Sequence, residues 1–322
     1  MGNIDLLKGL EIGIEQNVGI MSMYPLIGDD LNIPLAEFKD ITFKGNSDYG
    51  EMTFENNSNL PFVLPTSYFY TTKALAQDHS SYRYEILTPN KKTKINACCI
   101  QEHQCGYIDE SDCGLKNFKI LPLDIRKNIL FDLKLSNIDF SSLWKYICLF
   151  QSQLVNEKAA HLIYFFTKFA KNLATFDAEF ELVEKQRGCI ITFNNQIVGI
   201  EIFPSHNYFK HIWKSLIRDS YGSSILKMSL LDLKTSFENC YNLNLENCLT
   251  IEEIEKSISE YDLNRRKNLK DNIENILNNL KIEDLTNQKN DLNYSLFIKN
   301  NIALESIRYN NSDFAFCSLI LK

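Results

Sequence analysis

A chain of 322 residues, 44% hydrophobic and 12% aromatic, can bury a substantial core and is no disordered polymer. Its 41 acidic and 34 basic side chains leave a formal net charge of −7, without the basic stripe a general DNA or RNA binder needs. Nine cysteines without a paired spacing, and a start carrying Asp5, Lys8, Glu11 and Glu15 instead of an apolar run, predict free thiols in a soluble, cytoplasmic protein.

The first 110 residues read as short strands. Leu10, Ile12 and Ile14 alternate with polar neighbours, and Val18 to Leu26 is apolar through Pro25. Further strands are expected at Met52–Phe54, Phe62–Leu64, Tyr82–Leu87 and Ile95–Ile100. Turn signals separate them: Gly45-Asn46, Asn56 to Asn59 and Pro89-Asn90. Runs of this length and spacing predict antiparallel sheet.

Beyond Pro122 the period lengthens. Leu143, Tyr146, Ile147 and Phe150 fall at helical spacing, as do Leu162, Phe166, Phe169, Leu173 and Phe176. Strands at Gly188–Phe193 and Gln196–Phe203 flank a tight turn at Asn194-Asn195. An amphipathic helix follows, capped by Ser205, with Phe209, Ile212, Trp213, Leu216 and Ile217 on one face and a stop at Tyr221-Gly222. Thr250 and Glu253 form a capping box for helices with Ile251, Ile254 and Ile258, then Leu269, Ile273, Ile276 and Leu280, on one face. Their lean apolar content predicts a surface insertion or lid. The last strands, Tyr294–Ile298, Leu304–Tyr309 and Phe314–Leu321, are expected to pack back on earlier ones. The fold class is thus α+β in a single unit over 1–322: a β-rich lobe at 1–120, helices plus a hairpin at 121–234, a helical insertion at 235–290 and closing strands at 291–322.

Motifs of the well-marked enzyme classes are missing. No Walker loop, no G-x-G-x-x-G after a strand, no H-E-x-x-H, no C-x-x-C and no G-x-S-x-G occurs. The densest cluster of reactive side chains is Cys98 to Cys105, ending a predicted strand. Cys99 with His103 could serve as a nucleophile, or Cys99, His103 and Cys105 could hold a metal, but one loose group without paired ligands predicts no metal site. Strand alternation puts Cys99 and Gln101 on the face opposite the inward Ile100. Gln77-Asp78-His79 with Arg83 offers an acid–base pair beside a phosphate-gripping guanidinium, or ordinary turn chemistry. Glu201, inside an apolar strand, is either solvent-facing through alternation or partnered in a pocket. His206 and His211 border the amphipathic helix, Tyr68, Phe69 and Tyr70 are core or base-stacking aromatics, and Arg265-Arg266-Lys267 reads as a solvated face.

Three of these stretches together resemble the domain family named for its association with ADP-ribosylglycohydrolases and rhodanese-type phosphatases. They are Ala74 to His79, Cys99-Ile100-Gln101, and Val198-Gly199-Ile200-Glu201-Ile202-Phe203 leading to Ser220-Tyr221; Tyr309 to Leu321 is similar to its closing hairpin. Against the family pattern Ala74 stands for Gly, His79 for Arg, Gln101 for Glu and Glu201 for Asp, so the chain resembles a divergent member. The resemblance implies a protein that binds a nucleotide or ADP-ribose/NAD-related molecule in a NAD-linked or defence pathway, with its hydrolysis as the further expectation. Catalytic Glu102, Glu201 and His79 and ligand-binding Gln77, Arg83, Cys99 and Gln101 would serve that role, with no cofactor or metal. The alternative is a catalytically dead interaction protein using the 235–290 helices as its partner surface, with a protein partner or a homo-oligomer. No membrane or general nucleic-acid partner is expected.

Overall fold

The computed structural model describes residues 6–43, 50–70, 78–102, 118–133, 140–155, 160–231, 248, 250–278, 287–289, 291–299, 301–310 and 314–321. Among them the chain is the α+β fold that the sequence pattern predicts. Twelve strands come first: β1 (Glu11–Ile12), β2 (Gln16–Val18), β3 (Met21–Ile27), β4 (Ile41–Phe43), β5 (Glu51–Asn56), β6 (Phe62–Leu64), β7 (Tyr68–Tyr70), β8 (His79–Ser80), β9 (Glu85–Leu87), β10 (Lys91–Asn96), β11 (Cys98–Cys99) and β12 (Phe118–Ile120). Helices α1 (Leu123–Leu133), α2 (Phe140–Gln151), α3 (Ile163–Lys168) and α4 (Ala170–Glu179) follow. The hairpin β13 (Gln186–Phe193) and β14 (Gln196–Ile202) leads into α5 (His206–Lys214), a π-helical segment (Ser215–Gly222) and α6 (Ser223–Leu230). Helix α7 (Ile251–Asn278) precedes β15 (Asn287–Lys289), β16 (Leu292–Lys299), β17 (Ile302–Tyr309) and β18 (Phe314–Leu321).

The principal sheet runs β1-β3-β13-β14-β18-β17-β16-β15, with β2 paired to β3. Its pairs are antiparallel throughout. The closing strands dock as expected, with β18 beside β14. Smaller sheets β10-β5-β4, β11-β8-β7-β12 and β6-β9 come from the first lobe. Asn194 and Asn195 both take positive φ, 49° and 63°, which the tight β13–β14 turn requires.

Both faces of the principal sheet are covered, so β13 is buried along its whole length. Alternation sorts the side chains. Tyr24, Ile190, Ile200, Leu319, Leu304 and Phe297 are cross-strand neighbours in one row, within the cluster that includes Leu269, Ile273 and Leu277 of α7. The other face meets α5 and the π segment through Phe209, Ile212, Leu216 and Ile217.

Three expectations about helices are corrected. The helix expected through Leu162 to Phe176 is two, because Phe169 leaves helical geometry at φ −106°, ψ 16°. Tyr221-Gly222 is no stop: Gly222 is helical, at φ −60°, and the chain continues into α6. Its missing side chain serves packing, since a Cβ there would sit 2.9 Å from the Phe176 ring. The helices after Thr250 are one continuous helix, and its second half is core, not a detached lid. An apolar sheet face needs a cover, and Leu269, Ile273 and Leu277 provide it. The capping box forms as predicted, with the Glu253 N–H donating to Thr250 Oγ1 at 3.2 Å and the Thr250 N–H to Glu253 Oε2 at 3.1 Å.

Candidate functional site

The next row of side chains across the principal sheet is polar. Cys189, Glu201, Ser318 and Glu305 are successive cross-strand partners on β13, β14, β18 and β17, ending at Leu296. By the two-residue period these side chains point away from α7, toward the α5 and π-segment side. All four are at most 1% exposed. Buried carboxylates need partners, and the sequence supplies them from distant elements.

Arg126 of α1 is the first partner. Its Nη2–H donates to Glu201 Oε1 at 2.6 Å and to Ser318 Oγ at 2.9 Å, and its Nη1–H donates to Ser220 Oγ at 3.1 Å. Tyr221 Oη donates to the same Glu201 oxygen at 2.8 Å. Burial works against the Arg126 charge, but the Glu201 carboxylate outweighs it and raises the guanidinium above its ordinary range. Gly199 makes room for this arrangement: a Cβ there would stand 2.0 Å from Tyr221 Oη. The motif residues Gly199, Glu201, Ser220 and Tyr221 therefore meet around one arginine.

Glu305 is the second carboxyl of the row. Its Oε1 accepts from the Tyr84 N–H at 2.7 Å and from Tyr294 Oη at 3.0 Å. Burial pushes this carboxyl from 4.5 up to about 7, against the lowering by the Tyr84 amide, the Thr66 and Tyr294 hydroxyls and Arg126. Oε2 and the nearby Thr66 Oγ1 are buried without a partner of full hydrogen-bond geometry, and so is Arg126 Nε. Burial, then Glu305, raises the Tyr294 hydroxyl well above the tyrosine range, which keeps it a donor.

The π segment holds Ser220 and Tyr221 in place. Such wide turns are rare and concentrate at functional sites. This one is pinned by Asp219, which is buried and accepts from Arg218 Nε at 2.7 Å, Ser215 Oγ at 3.0 Å and Lys119 Nζ at 3.4 Å. Arg218 also reaches Asp177 at 2.9 Å, and Ser215 Oγ accepts from the Ile120 N–H at 2.8 Å, which ties the segment to α4 and β12.

Of the other sequence candidates, His79, Cys99 and Gln101 lie together. Gln77 lies outside the described residues, as do His103 and Cys105. His79 and Cys99 are backbone partners on β8 and β11. Next to them Asp78 faces His161, with Oδ2 3.9 Å from Nε2, and its N–H donates to Gln101 Oε1 at 3.4 Å. Cys98, Cys99, Ile100 and Gln101 are all buried, so alternation does not give Cys99 and Gln101 an open face. The Cys99 thiol donates to the Gln101 carbonyl at 2.9 Å, and burial pushes it up to about 11, which disfavours a thiolate nucleophile. Glu102 Oε2 accepts from the Ala160 N–H at 3.0 Å. Arg83 pairs with Glu85 at 2.8 Å. Among the described residues no three His, Cys, Asp or Glu side chains are arranged to hold a metal ion.

Several remaining residues are structural. Tyr68 and Phe69 are core. His206 Nδ1 lies 3.0 Å from the Gln186 carbonyl, and His211 stacks on Phe38 with ring centres 3.9 Å apart. Arg265 is not a solvated cation, because it pairs with Glu15. A cavity of about 780 Å³ beside α5 is lined by residues that include Asp30, Glu37, Phe38 and His211, with none of Glu201, Glu305 or Cys99 among them.

Arg126 escaped the sequence reading, although a signal existed. It stands three residues after Leu123 and four before Leu130, on the apolar stripe of α1, where a charge needs a buried partner. Glu305 and Ser318 were equally silent within their closing strands. Among the described residues no helix is long and apolar enough to cross a membrane. No curated protein and no solved structure is detectably similar to the chain. Residues 9–268 match the model described as the ARG and Rhodanese-Phosphatase-superfamily-associated Protein domain, a span that takes in Gly199, Glu201, Ser220, Tyr221 and Arg126. On that match, covering well over half its length, the chain belongs to this family, ARPP-1.

Proposed function

We propose that the protein binds a nucleotide-like molecule of the ADP-ribose or NAD class and cleaves it with the carboxyls of Glu201 and Glu305. The supporting observation is their pairing in one buried row, in two different environments. One carboxylate is ion-paired to Arg126, and the other is pushed up to about 7, where a proton moves readily at neutral pH. Two acids in unlike surroundings are the usual equipment for glycosidic cleavage. In this reading the protonated Glu305 gives its proton to the leaving group as the glycosidic bond breaks, and takes one back from the water that bonds to the ribose carbon. Glu201, held in place by Arg126, supplies the negative charge that faces the positive charge developing at that carbon. The family's name, which associates it with ARG, read as ADP-ribosylglycohydrolase, supports the ligand class, and with it a place in NAD-linked or defence chemistry.

Access requires local opening, since both carboxyls are buried. Thr66 and Tyr84, which flank the short strands β6 and β9, cover Glu305, and elements this short are low in local stability. Titration with NAD, ADP-ribose and cyclic ADP-ribose while following the melting temperature tests the proposal. One of them should raise it in a concentration-dependent way, the underlying stabilisation reaching ~2.7 kcal/mol at a hundredfold excess over Kd. Flat curves for all would overturn it.

A second reading, an interaction protein docking partners on α7, draws on Ile251 and Ile258, which are 74% and 41% exposed. Because the second half of α7 is core, its test is substitution of those two residues and not deletion of the helix.

A further inference from the structure

A second cavity, of about 710 Å³, lies at the β1 end of the principal sheet. One wall is the segment Glu11 to Asn17, the other is Ala178 to Val183, and Arg266 of α7 joins the lining. The walls are fastened to each other. Gln16 Nε2–H donates to the Glu181 carbonyl at 2.9 Å, and the Glu181 N–H donates back to Gln16 Oε1 at 2.7 Å. Arg266 Nη1–H holds the Ile12 carbonyl at 3.2 Å. This is a fixed groove rather than a gap between loose loops.

Its chemistry is acidic over an apolar floor. Glu11, Glu15, Glu179 and Glu181 line it against the one lining cation, Arg266, among the described residues. Glu15 is the informative member. Its side chain is only 8% exposed, and Oε2 pairs with Arg265 at 2.5 Å, yet Oε1 is buried with no hydrogen-bond partner. A buried carboxylate oxygen without a donor is costly unless something external donates to it. Beside it Ile14 is 67% exposed, an unusual position for a large aliphatic side chain in a concave site. Anionic ligands are repelled here, so the groove is separate from any nucleotide site.

The geometry points to a binding site for a basic peptide segment carrying an aliphatic residue. An Arg or Lys head donates to Glu15 Oε1, Glu179 and Glu181 take a neighbouring positive charge, and the aliphatic side chain covers Ile14. Glu11 and Glu15 flank Ile12-Gly13-Ile14 along this wall, which suits an extended segment whose basic residues flank an aliphatic one. A free polyamine satisfies the charge but leaves Ile14 bare.

Fluorescence anisotropy with a labelled, acetylated peptide alternating arginine and leucine tests this, with spermidine as competitor. Saturable binding is expected, weakened about tenfold or more by Glu15→Gln and by the pair Glu179→Lys and Glu181→Lys, while Glu274→Gln on the exposed side of α7 changes nothing. The paired rim variant guards against misfolding, because both residues are exposed. No saturable binding at millimolar peptide, or equal affinity in the rim variant, would overturn the inference. Spermidine displacing the peptide at equal concentration would also overturn it, by assigning the groove to polyamines.

Discussion

Arg126 and Glu201 illustrate how a buried charge constrains its neighbourhood. Each is about 1% exposed and answers the other, with Tyr221, Ser220 and Ser318 adding three further hydrogen bonds. Removing one partner leaves an uncompensated charge, so Arg126→Met should cost ~3–5 kcal/mol in urea unfolding. Arg126→Met with Glu201→Met should cost less than the single change. A larger cost for the double variant would contradict the ion-pair account. Glu305 makes a prediction about pH. Its folded-state value of about 7 stands above the ordinary 4.5, so between those values the folded chain keeps a proton the unfolded chain has released. The stabilisation is full below about pH 4.5, declines as pH rises, and is gone above about 7, a fall on the order of 3 kcal/mol. Unfolding free energies at pH 5 and pH 8 measure it, and Glu305→Gln should flatten the difference.

The helices and strands divide into those legible from local chemistry and those that tertiary packing decided. The Ser205 cap, the Thr250–Glu253 box and the Asn194-Asn195 turn were readable because each is a short-range hydrogen-bond or backbone-angle requirement. The run through Tyr221-Gly222 was not, because Gly222 is there to admit the Phe176 ring, a contact from a distant helix. The surface reading of α7 failed similarly. Its sparse apolar positions look weak in sequence, yet the sheet below supplies the other half of the core. Ile273→Ala should therefore destabilise the protein by ~2–5 kcal/mol, the range for a fully buried aliphatic residue. A loss under ~0.5 kcal/mol would mean that α7 is an independent surface element.

At the scale of the whole molecule, the α+β class and the docking of the closing strands followed from periodicity and turn spacing. The polar row did not. Glu201 was visible as an acid in an apolar strand, and Gly199 with Ser220-Tyr221 as parts of a family pattern. Nothing local said that Ser318 and Glu305 would fall beside Glu201, because that depends on the register of β14, β18 and β17. Arg126 reaches the row only because α1 packs there. The proposed function stands or falls with this row acting as an acid–base centre. Chromatographic assay of NAD and ADP-ribose cleavage across pH 5 to 9, in the wild type and in Glu305→Gln, tests it most directly. Product is expected from at least one substrate, with a pH profile bending near 7 and about a hundredfold loss in the variant. No cleavage of either substrate, or the same rate and profile in both proteins, would contradict it.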